Sequence, residues 1–431
     1  MRSCVSLLIL SLAILTAFSS CGEDRTHEYE GLTRSNHAMY DFMKEVYLWN
    51  EDMTELEWNN FFGNGNEFFS RLTTEDDKWS FATIDTLQSD PHARGHFNHF
   101  NSYGLDFNLV TDPTGKTNRQ LFRISLVVPH SPAEKAGLQR NDFISAVDGS
   151  RAGSSLADKL VKGDERQLTV LRLTVGEESG ELQWKDTLDI TLPSSTYVED
   201  KPFPIRQIME TSLGKTAYLM CMRLTEGPWE TDSSSQAYSD ELDKVFAEFH
   251  SQGATDLVLD LRYCNDGALP MVQKLASYIA GDTHHGESFL TTFRNTSKAG
   301  NNQSIPFDKS LVNGHALGLS RVAVITSSQT QGAGEWLTHG LKAVFGDAQV
   351  ITVGQTTAGC NVVTEDYHLL DHITIHPAVA YVADKEGNGD YATGIKPSLP
   401  LGETNYYLTT YPLGDIHELW FEAALNALAE P

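Results

Sequence analysis

The stretch that decides the fold is DLVLDLRYCNDG, residues 256–267. Its first half, Asp256 to Leu261, is a near-continuous apolar run, which is typical of a strand buried on both faces of a parallel sheet. Its second half, Arg262 to Gly267, is a polar loop that ends in glycine. In sheets of this kind the active site lies at the carboxyl ends of the strands, where a loop meets the N-terminus of a helix. The stretch therefore predicts both a buried strand and one wall of a functional site.

Strand-like and helix-like segments alternate on both sides of this stretch. Further strands are predicted at Tyr218–Leu224, Val322–Ile325 and Val350–Val353, and helices at Gln236–Ser251, Leu269–Ile279, Ala333–Phe345 and Asp415–Leu428. Strands that alternate with helices in this way build a layered body around a largely parallel sheet. The pattern thus predicts an α/β fold for the second half of the chain.

Two more loops have the form expected at that edge of the sheet. One is TSSQTQGAGE, residues 326–335, between a predicted strand and a predicted helix. The other is GQTTAGCN, residues 354–361, which follows the strand at 350–353. Because the carboxyl ends of parallel strands share one edge of the sheet, these loops and the 262–267 loop are the candidate walls of a single cleft.

A segment in front of this body has a pattern of its own. Between about Phe97 and Pro193, short strand-like runs alternate with Gly and Asp turns, and residues 127–138 read VVPHSPAEKAGL. This motif resembles the PDZ domains of bacterial proteases, and Ser131 would cap a one-turn helix that starts at Pro132. In a PDZ fold, a loop offers backbone amides to a peptide carboxylate while the peptide adds a strand to the sheet edge.

The segment that matches this peptide-binding site contains Tyr103, Gly104, Leu105, Asp106 and Phe107. The carboxylate of Asp106 is unfavourable so close to the carboxylate of a peptide. A second interpretation therefore stays open, in which the module packs on the body as a plain β-sheet unit and grips no peptide.

The three loops, their order and their spacing resemble the S41 family of serine peptidases, the C-terminal-processing or tail-specific proteases. The stretches LDLRY at 259–263 and GDYATGIKP at 389–397 are typical of that family, as is a PDZ-like insert before the body. The resemblance implies a multi-domain α/β (α+β) chain. Its parts would be a helical N-terminal cap at 33–92, a PDZ-like domain at 93–197, and a tail-specific protease body of the ClpP/crotonase-like type at 198–431.

The resemblance also implies where catalysis would take place. The family uses a serine in a T-A-S-A-S-E loop, a lysine base in a G-E-K-T-x-G-K loop, and an N-G-G-G loop that receives the oxyanion. On these patterns, Gly332 stands at the position of the serine and Cys360 at that of the lysine. The oxyanion positions fall on Cys264, Asn265, Asp266, Gly267 and Ala333. Glycine has no nucleophile and a thiol is not an amine-like base, so we expect a pseudo-peptidase that binds peptide or protein without hydrolysis.

Three alternatives remain open. In one, Ser327, Ser328 or Thr330 is a relocated nucleophile and the protein is an active serine-type endopeptidase that processes protein C-termini. A shift of two or more residues argues against it, because nucleophile and base must lie within about 3 Å. In another, Cys360 is a thiol nucleophile with His339 as its base. In the third, the protein is a structural component of an envelope complex.

The cysteines leave one redox question open. Cys264 and Cys360 fall in two loops of the predicted cleft, where a disulfide would lock the loops and two thiols would leave them unlinked. Cys221 lies in a predicted buried strand and is expected to be an inert thiol.

The first twenty residues have the pattern of a signal peptide. A positive charge at Arg2 precedes an apolar run from Val5 to Ala17, which is too short to span a bilayer, and serines lead up to Cys21. A cysteine at such a point is where a bacterial lipoprotein is cleaved and acylated. We therefore expect an exported lipoprotein of a Gram-negative cell envelope, anchored at Cys21 and followed by a tether at 21–32. An ordinary secretory signal with an incidental cysteine is the alternative.

The charge of the chain excludes one class of partner. With 58 acidic and 32 basic residues, the formal net charge is −26, so nucleic acid would be repelled over most of the surface. No spacing of histidines, cysteines or carboxylates resembles a metal site, and no cofactor is expected. The expected partners are a peptide or protein C-terminus, and a membrane through the lipid anchor.

Overall fold

The structure is a computed structural model, and it describes residues 26–84, 101–176, 181–199, 201–228, 234–370, 373–402 and 411–430. Its α-helices are, in chain order, α1 (Thr26–Val46), α2 (Gly65–Phe69), α3 (Pro132–Lys135), α4 (Ala237–Gln252), α5 (Leu269–Ala280), α6 (Ala333–Phe345) and α7 (Leu419–Ala429). Within these ranges no helix is both long enough and apolar enough to cross a bilayer. The predicted signal peptide at 1–20 and Cys21 lie outside the described residues.

The strands form four sheets. In chain order they are β1 (Phe81–Ile84), β2 (Leu105–Thr111), β3 (Gln120–Val127), β4 (Asp142–Val147), β5 (Ser150–Arg151), β6 (Arg166–Val175), β7 (Leu182–Leu192), β8 (Arg206–Thr211), β9 (Gly214–Met220), β10 (Asp256–Asp260), β11 (Ser288–Arg294), β12 (Gln303–Pro306), β13 (Val322–Thr326), β14 (Val350–Gly354), β15 (Val362–Thr364), β16 (Tyr367–Leu370), β17 (Ile373–His376), β18 (Ala378–Asp384) and β19 (Leu399–Pro400). The described residues up to 84, together with those in 364–379, form one compact unit, and the others form a second.

The first unit is built on α1. Met39 and Met43 are fully buried on one side of this helix, at a spacing that an amphipathic helix requires, and Tyr47, directly after its last residue, is buried as well. Phe61, from the short helical turn Trp58–Phe62, stacks on the ring of His37 with centroids 3.8 Å apart. The helix begins at Thr26, so residues 26–32, which the sequence assigns to the tether, are helical. A helix that has nucleated gains one hydrogen bond for each residue that it adds.

A hairpin from late in the chain completes this unit. β16 and β17 pair antiparallel, and β17 pairs with β1 so that Phe81 lies opposite His376. The two rings stack with centroids 4.0 Å apart. Local sequence patterns did not predict this pairing, because 293 residues separate Thr83 from His376, whose side chains meet at 3.2 Å.

The PDZ-like module of the second unit is an antiparallel sheet with the strand order β2-β3-β4-β6-β7, and β5 pairs with β4. Phe107 and Phe122 pack edge to face in its core, with ring centroids 5.3 Å apart. Helix α3 starts where the sequence predicts. Pro132 is its first residue, and the Ser131 hydroxyl accepts a hydrogen bond from the amide of Glu134 at 3.2 Å.

The α/β body is built on a sheet with the order β19-β14-β13-β10-β9-β8. β10 lies between β9 and β13 and is parallel to both, as is β14 to β13. Leu257 and Leu259 join the apolar cluster on one face of the sheet, whereas Val258 joins the cluster on the other face. All three are fully buried, so the prediction of a strand covered on both faces is confirmed.

Buried polar contacts join the PDZ-like module to the body. The Tyr263 hydroxyl donates to the carbonyl of Ser125 at 2.8 Å. The fully buried guanidinium of Arg262 donates to both carboxylate oxygens of Glu418 at 2.9 Å, and Arg140 of the module reaches the same carboxylate at 3.3 Å. Burial opposes ionisation of Glu418, but the Arg262 guanidinium outweighs it and lowers the pKa of Glu418 to about 2.

Candidate active site

The three predicted loops meet at the carboxyl ends of β10, β13 and β14. The amide of Gln331 donates to the carbonyl of Cys264 at 2.9 Å, which joins the second loop to the first. The amide of Ala358 donates to the carbonyl of Thr330 at 2.9 Å, which joins the third loop to the second. The shared edge of the parallel sheet thus brings the three segments together.

Gly332 is the N-cap residue, directly before the first residue of α6. Its backbone has φ 53° and ψ −111°, a conformation that is strained for any residue with a side chain. Strained turns of this kind between a strand and a helix carry the nucleophile in α/β-hydrolases. A Cβ atom built on Gly332 would lie 4.0 Å from Sγ of Cys360 and 3.7 Å from the ring of Trp336. The two positions that the family resemblance assigns to nucleophile and base are therefore neighbours, with space for a side chain at 332.

A buried carboxylate holds the second and third loops together. Oε2 of Glu335 accepts hydrogen bonds from the amides of Gly332 at 3.1 Å and Cys360 at 2.7 Å. Oε1 accepts from the amide of Gly359 at 2.6 Å and from the Thr357 hydroxyl. Burial raises the pKa of Glu335, whereas these four hydrogen bonds favour its charged form. Sequence reasoning missed this role, although a glutamate three residues after a helix start is a known capping signal.

Cys360 is buried at the position that the resemblance assigns to the lysine. Its Sγ lies 3.5 Å from the carbonyl of Val362, and its own carbonyl accepts a hydrogen bond from the indole of Trp336 at 3.0 Å. Among the described residues, Cys221, Cys264 and Cys360 are not joined in disulfides. The structure thus has Cys264 and Cys360 as two thiols and not as a disulfide.

The predicted oxyanion loop packs against the first turn of α6. A Cβ atom on Gly267 would lie 2.6 Å from Cβ of Ala333 and 2.8 Å from Leu224, so this close approach requires glycine. The carboxylate of Asp266 is half exposed and pairs at 2.5 Å with the guanidinium of Arg223. This ion pair offsets part of the charge that opposes an oxyanion in the loop.

The inner part of the oxyanion loop is packed more tightly. Cys264 is buried and Asn265 is half-buried. A Cβ atom on Gly334 would lie 3.0 Å from the methyl group of Thr330 and 3.1 Å from the carbonyl of Cys264. The second residue of α6 therefore has little space for a side chain, in contrast to Gly332.

The buried hydroxyl groups considered as replacement nucleophiles bind the backbone. Ser327 Oγ donates to the carbonyl of Arg262, and Thr330 Oγ1 donates to the carbonyl of Leu261 at 2.8 Å. Ser328, between them, is exposed. A nucleophilic role for Ser327 or Thr330 would require a buried hydrogen bond to be broken.

The histidine considered as a base for a thiol nucleophile is held by another segment. Nε2 of His339 lies 2.8 Å from the carbonyl oxygen of Asn388 and 3.9 Å from the carboxylate of Asp384. The imidazole also packs on Tyr391 with ring centroids 4.5 Å apart. Within the part of the chain that the structure describes, no group of three or more His, Cys, Asp and Glu residues is placed to hold a metal ion.

The loop predicted to bind a peptide carboxylate uses its own amides inside the module. Ser102 donates to the carbonyl of Thr196 at 2.9 Å, and Tyr103 donates to that of Val161 at 3.1 Å. The amide of Gly104 donates to the Ser102 hydroxyl at 3.1 Å. The residues next to Gly104 in the predicted site are buried: Tyr103, Leu105, Asp106 and Phe107. A carboxylate bound to the amides of residues 102–104 would have to replace these hydrogen bonds.

Fold and site together define the class of protein, a peptidase scaffold that carries a PDZ domain. The model of peptidase family S41 matches residues 224–401, that of the peptidase S41 N-terminal domain matches residues 34–81, and a PDZ domain model matches residues 123–174. A search of curated proteins found no match.

Solved structures agree with this class. A Bacteroides fragilis protein assigned to the S41 proteases is 29% identical, with a TM-score of 0.79 over 90% of this chain and 96% of that one. The photosystem II D1 C-terminal processing protease is 16% identical, with a TM-score of 0.50 over 86% of this chain and 92% of that one, and so shares the fold. The chain belongs to peptidase family S41, with the multi-domain α/β fold of the tail-specific proteases.

Proposed function

We propose that this chain is a non-hydrolytic member of its family, which binds peptides or protein C-termini without cleaving them. The observation that carries the proposal is the proximity of Gly332 and Cys360. Acyl transfer by this scaffold needs a hydroxyl beside a base. The chain has no side chain at position 332 and a buried thiol at position 360. Since each tenfold in rate corresponds to about 1.4 kcal/mol of barrier, the loss of both groups removes most of the acceleration.

The packing of the cleft supports a role in binding. Gly267 closely approaches Ala333, and Glu335 joins the loops that contain Gly332 and Cys360. Such packing keeps backbone groups in place at the cleft. Preorganised backbone donors that would receive an oxyanion in an active peptidase can also bind the carbonyl of a peptide that is never cut.

The proposal is tested by incubating the purified mature chain with unstructured polypeptides that have free C-termini. We expect binding, measured by fluorescence anisotropy, and no cleavage, measured by mass spectrometry. Cleavage that disappears in Ser328→Ala would establish a relocated serine, because Ser328 is exposed and its loss should leave the fold intact. Cleavage that survives this change and disappears in Cys360→Ser would establish a thiol enzyme.

We also propose that the protein is an exported lipoprotein of the cell envelope. The support lies in the sequence, where an apolar run from Val5 to Ala17 leads to Cys21. In cells given an alkyne analogue of palmitate, we expect the native protein to be labelled and to sediment with membranes. Cys21→Ser should abolish both properties. A variant that stays labelled would place the lipid on another residue, and a native chain that takes up no label would exclude the lipid anchor.

A further inference from the structure

Two neighbouring aromatic side chains of the first unit are exposed to solvent. Trp58 is 75% exposed and Phe62 is 40% exposed, and they stand at the two ends of the short helical turn that packs on α1. Their rings meet edge to face, with centroids 5.6 Å apart. Single exposed apolar residues are normal on a protein surface, whereas contiguous exposed apolar surface often marks an interaction site. We refer to these two residues as the aromatic pair.

The turn that carries the aromatic pair is firmly held. Phe61, which precedes Phe62, is buried, and its ring stacks on that of His37. The side-chain amide of Asn36 on α1 donates to the carbonyl of Phe61 at 2.8 Å. Because these contacts fix the backbone of the turn, the exposure of Trp58 and Phe62 is a property of the folded unit and not of a loose end.

The aromatic pair lies near the proposed membrane anchor. Cys21, the proposed site of acylation, comes five residues before Thr26, where α1 begins, and five residues of chain reach at most about 18 Å. The turn contacts α1 at Asn36, which is about 15 Å further along the helix axis. A lipid on Cys21 would thus keep this level of α1 within about 33 Å of the anchored residue. If α1 lies along the membrane surface, the aromatic pair can reach the bilayer.

We propose that Trp58 and Phe62 enter the headgroup region of the bilayer that holds the lipid on Cys21. Tryptophan is preferred at the membrane–water interface, because its apolar ring contacts the acyl chains while its N–H stays hydrogen-bonded to water and headgroups. The inference rests on the proposed lipid anchor. It adds a second membrane contact, made by the folded first unit, which turns one face of this unit towards the bilayer.

The charges beside the aromatic pair select the kind of bilayer. Glu55 and Glu57 are exposed next to Trp58, so an anionic surface repels this turn more than a zwitterionic surface does. We therefore expect a closer contact with phosphatidylcholine than with phosphatidylglycerol. The double variant Glu55→Gln/Glu57→Gln should narrow the difference. A closer contact with phosphatidylglycerol would mean that cationic groups, and not the aromatic pair, bring the unit to the membrane, and would overturn the inference.

Fluorescence quenching by brominated lipids measures the contact. The mature chain is coupled through Cys21 to a maleimide phospholipid in phosphatidylcholine vesicles whose acyl chains carry bromine, which quenches nearby indoles. The cysteines of the described residues are buried, so Cys21 is the thiol that couples. Bromine should quench the emission of the native chain, and Trp58→Phe should lose at least half of this quenching. Trp49→Phe is the matched control and should keep the quenching, because Trp49 belongs to the same unit and is half-buried against Tyr47.

The coupled chain separates failure of the contact from failure of the anchor. Absence of palmitate label in cells would refute the lipid anchor. Absence of quenching on the coupled vesicles, or equal quenching of the native chain and Trp58→Phe, would refute the contact and leave the lipoprotein proposal intact. A mature chain that is dimeric in solution and becomes monomeric in Trp58→Ala would make the aromatic pair an interface between two copies, which would also overturn the inference.

Discussion

Glu335 binds the amide of Cys360 at 2.7 Å, although the two residues come from the helix α6 and from the third loop of the cleft. The same oxygen binds the amide of Gly332 at 3.1 Å. One carboxylate thus fixes the positions that the family uses for nucleophile and base.

Glu335→Gln should destabilise the protein by about 2–4 kcal/mol. The NH₂ group of glutamine would face backbone N–H groups whose hydrogen bonds the carboxylate now accepts. A buried donor without an acceptor costs about 1–3 kcal/mol. Urea unfolding followed by fluorescence measures the change. Glu422→Gln is the control, because Glu422 is exposed on α7 and its loss should change stability by less than about 0.5 kcal/mol. Equal effects of the two variants would show that Glu335 does not hold the loops.

Gly332→Ala should destabilise the protein by about 1–3 kcal/mol, through backbone strain. Among the described residues other than its chain neighbours, the heavy atom nearest to the added Cβ is 3.7 Å away, on the ring of Trp336, so steric overlap contributes little. Gly267→Ala should cost more, because its Cβ would lie 2.6 Å from that of Ala333. The free energies of unfolding of the two variants, measured under the same conditions, give the order. The reverse order would contradict the prediction, because the backbone strain at 332 would then outweigh the steric overlap at 267.

Much of the second unit follows from local patterns. The helix at 333–345 has the bounds that the sequence predicts, since it is a regular apolar segment between clear turn signals. The strand predicted at Tyr218–Leu224 is displaced, because β9 begins at Gly214 and pairs with β10 only as far as Met220 and with β8 only as far as Leu219. Pairing partners, which set strand ends, are not visible in one segment.

Long-range contacts are the part that could not be predicted. The hairpin of β16 and β17 joins α1 in one unit through partners hundreds of residues away, and no local pattern encodes such a pairing. The same holds for Glu418, which directly precedes α7 as its N-cap. A helix was predicted from Asp415, but α7 starts at Leu419, after Glu418 accepts a hydrogen bond from the amide of Phe421 and is held by Arg262. Tertiary ion pairs decide this helix start.

Glu418 should make stability depend on acid pH. Its pKa falls from an ordinary 4.5 to about 2 in the folded state. A lowered folded-state pKa gives stability that is present above pH 4.5 and lost as pH falls through 2, which corresponds to about 3 kcal/mol. Between pH 6 and pH 2, the difference in unfolding free energy between the native chain and Glu418→Gln should shrink by that amount. A difference that stays constant would contradict a charged, buried Glu418.

The cleft cysteines should be found as thiols. Without reductant, Cys264 and Cys360 should resist alkylation in the folded protein, because both are buried, and should react fully in denaturant. Peptide mapping by mass spectrometry gives the labelled fraction. As a control, the denatured protein is reduced before alkylation and digestion. The labelled fraction at these two cysteines should then not increase. A linked pair of peptides containing Cys264 and Cys360 would instead establish the disulfide.

The most direct test of the central claim restores the missing groups. The native chain, the double variant Gly332→Ser/Cys360→Lys and the matched control Gly332→Ala/Cys360→Lys are treated with a fluorophosphonate probe, after urea unfolding confirms that all three are folded. We predict covalent labelling of the double variant at position 332, and none of the native chain or the control. Labelling of the native chain at any serine, or a folded double variant that stays unlabelled, would contradict the account.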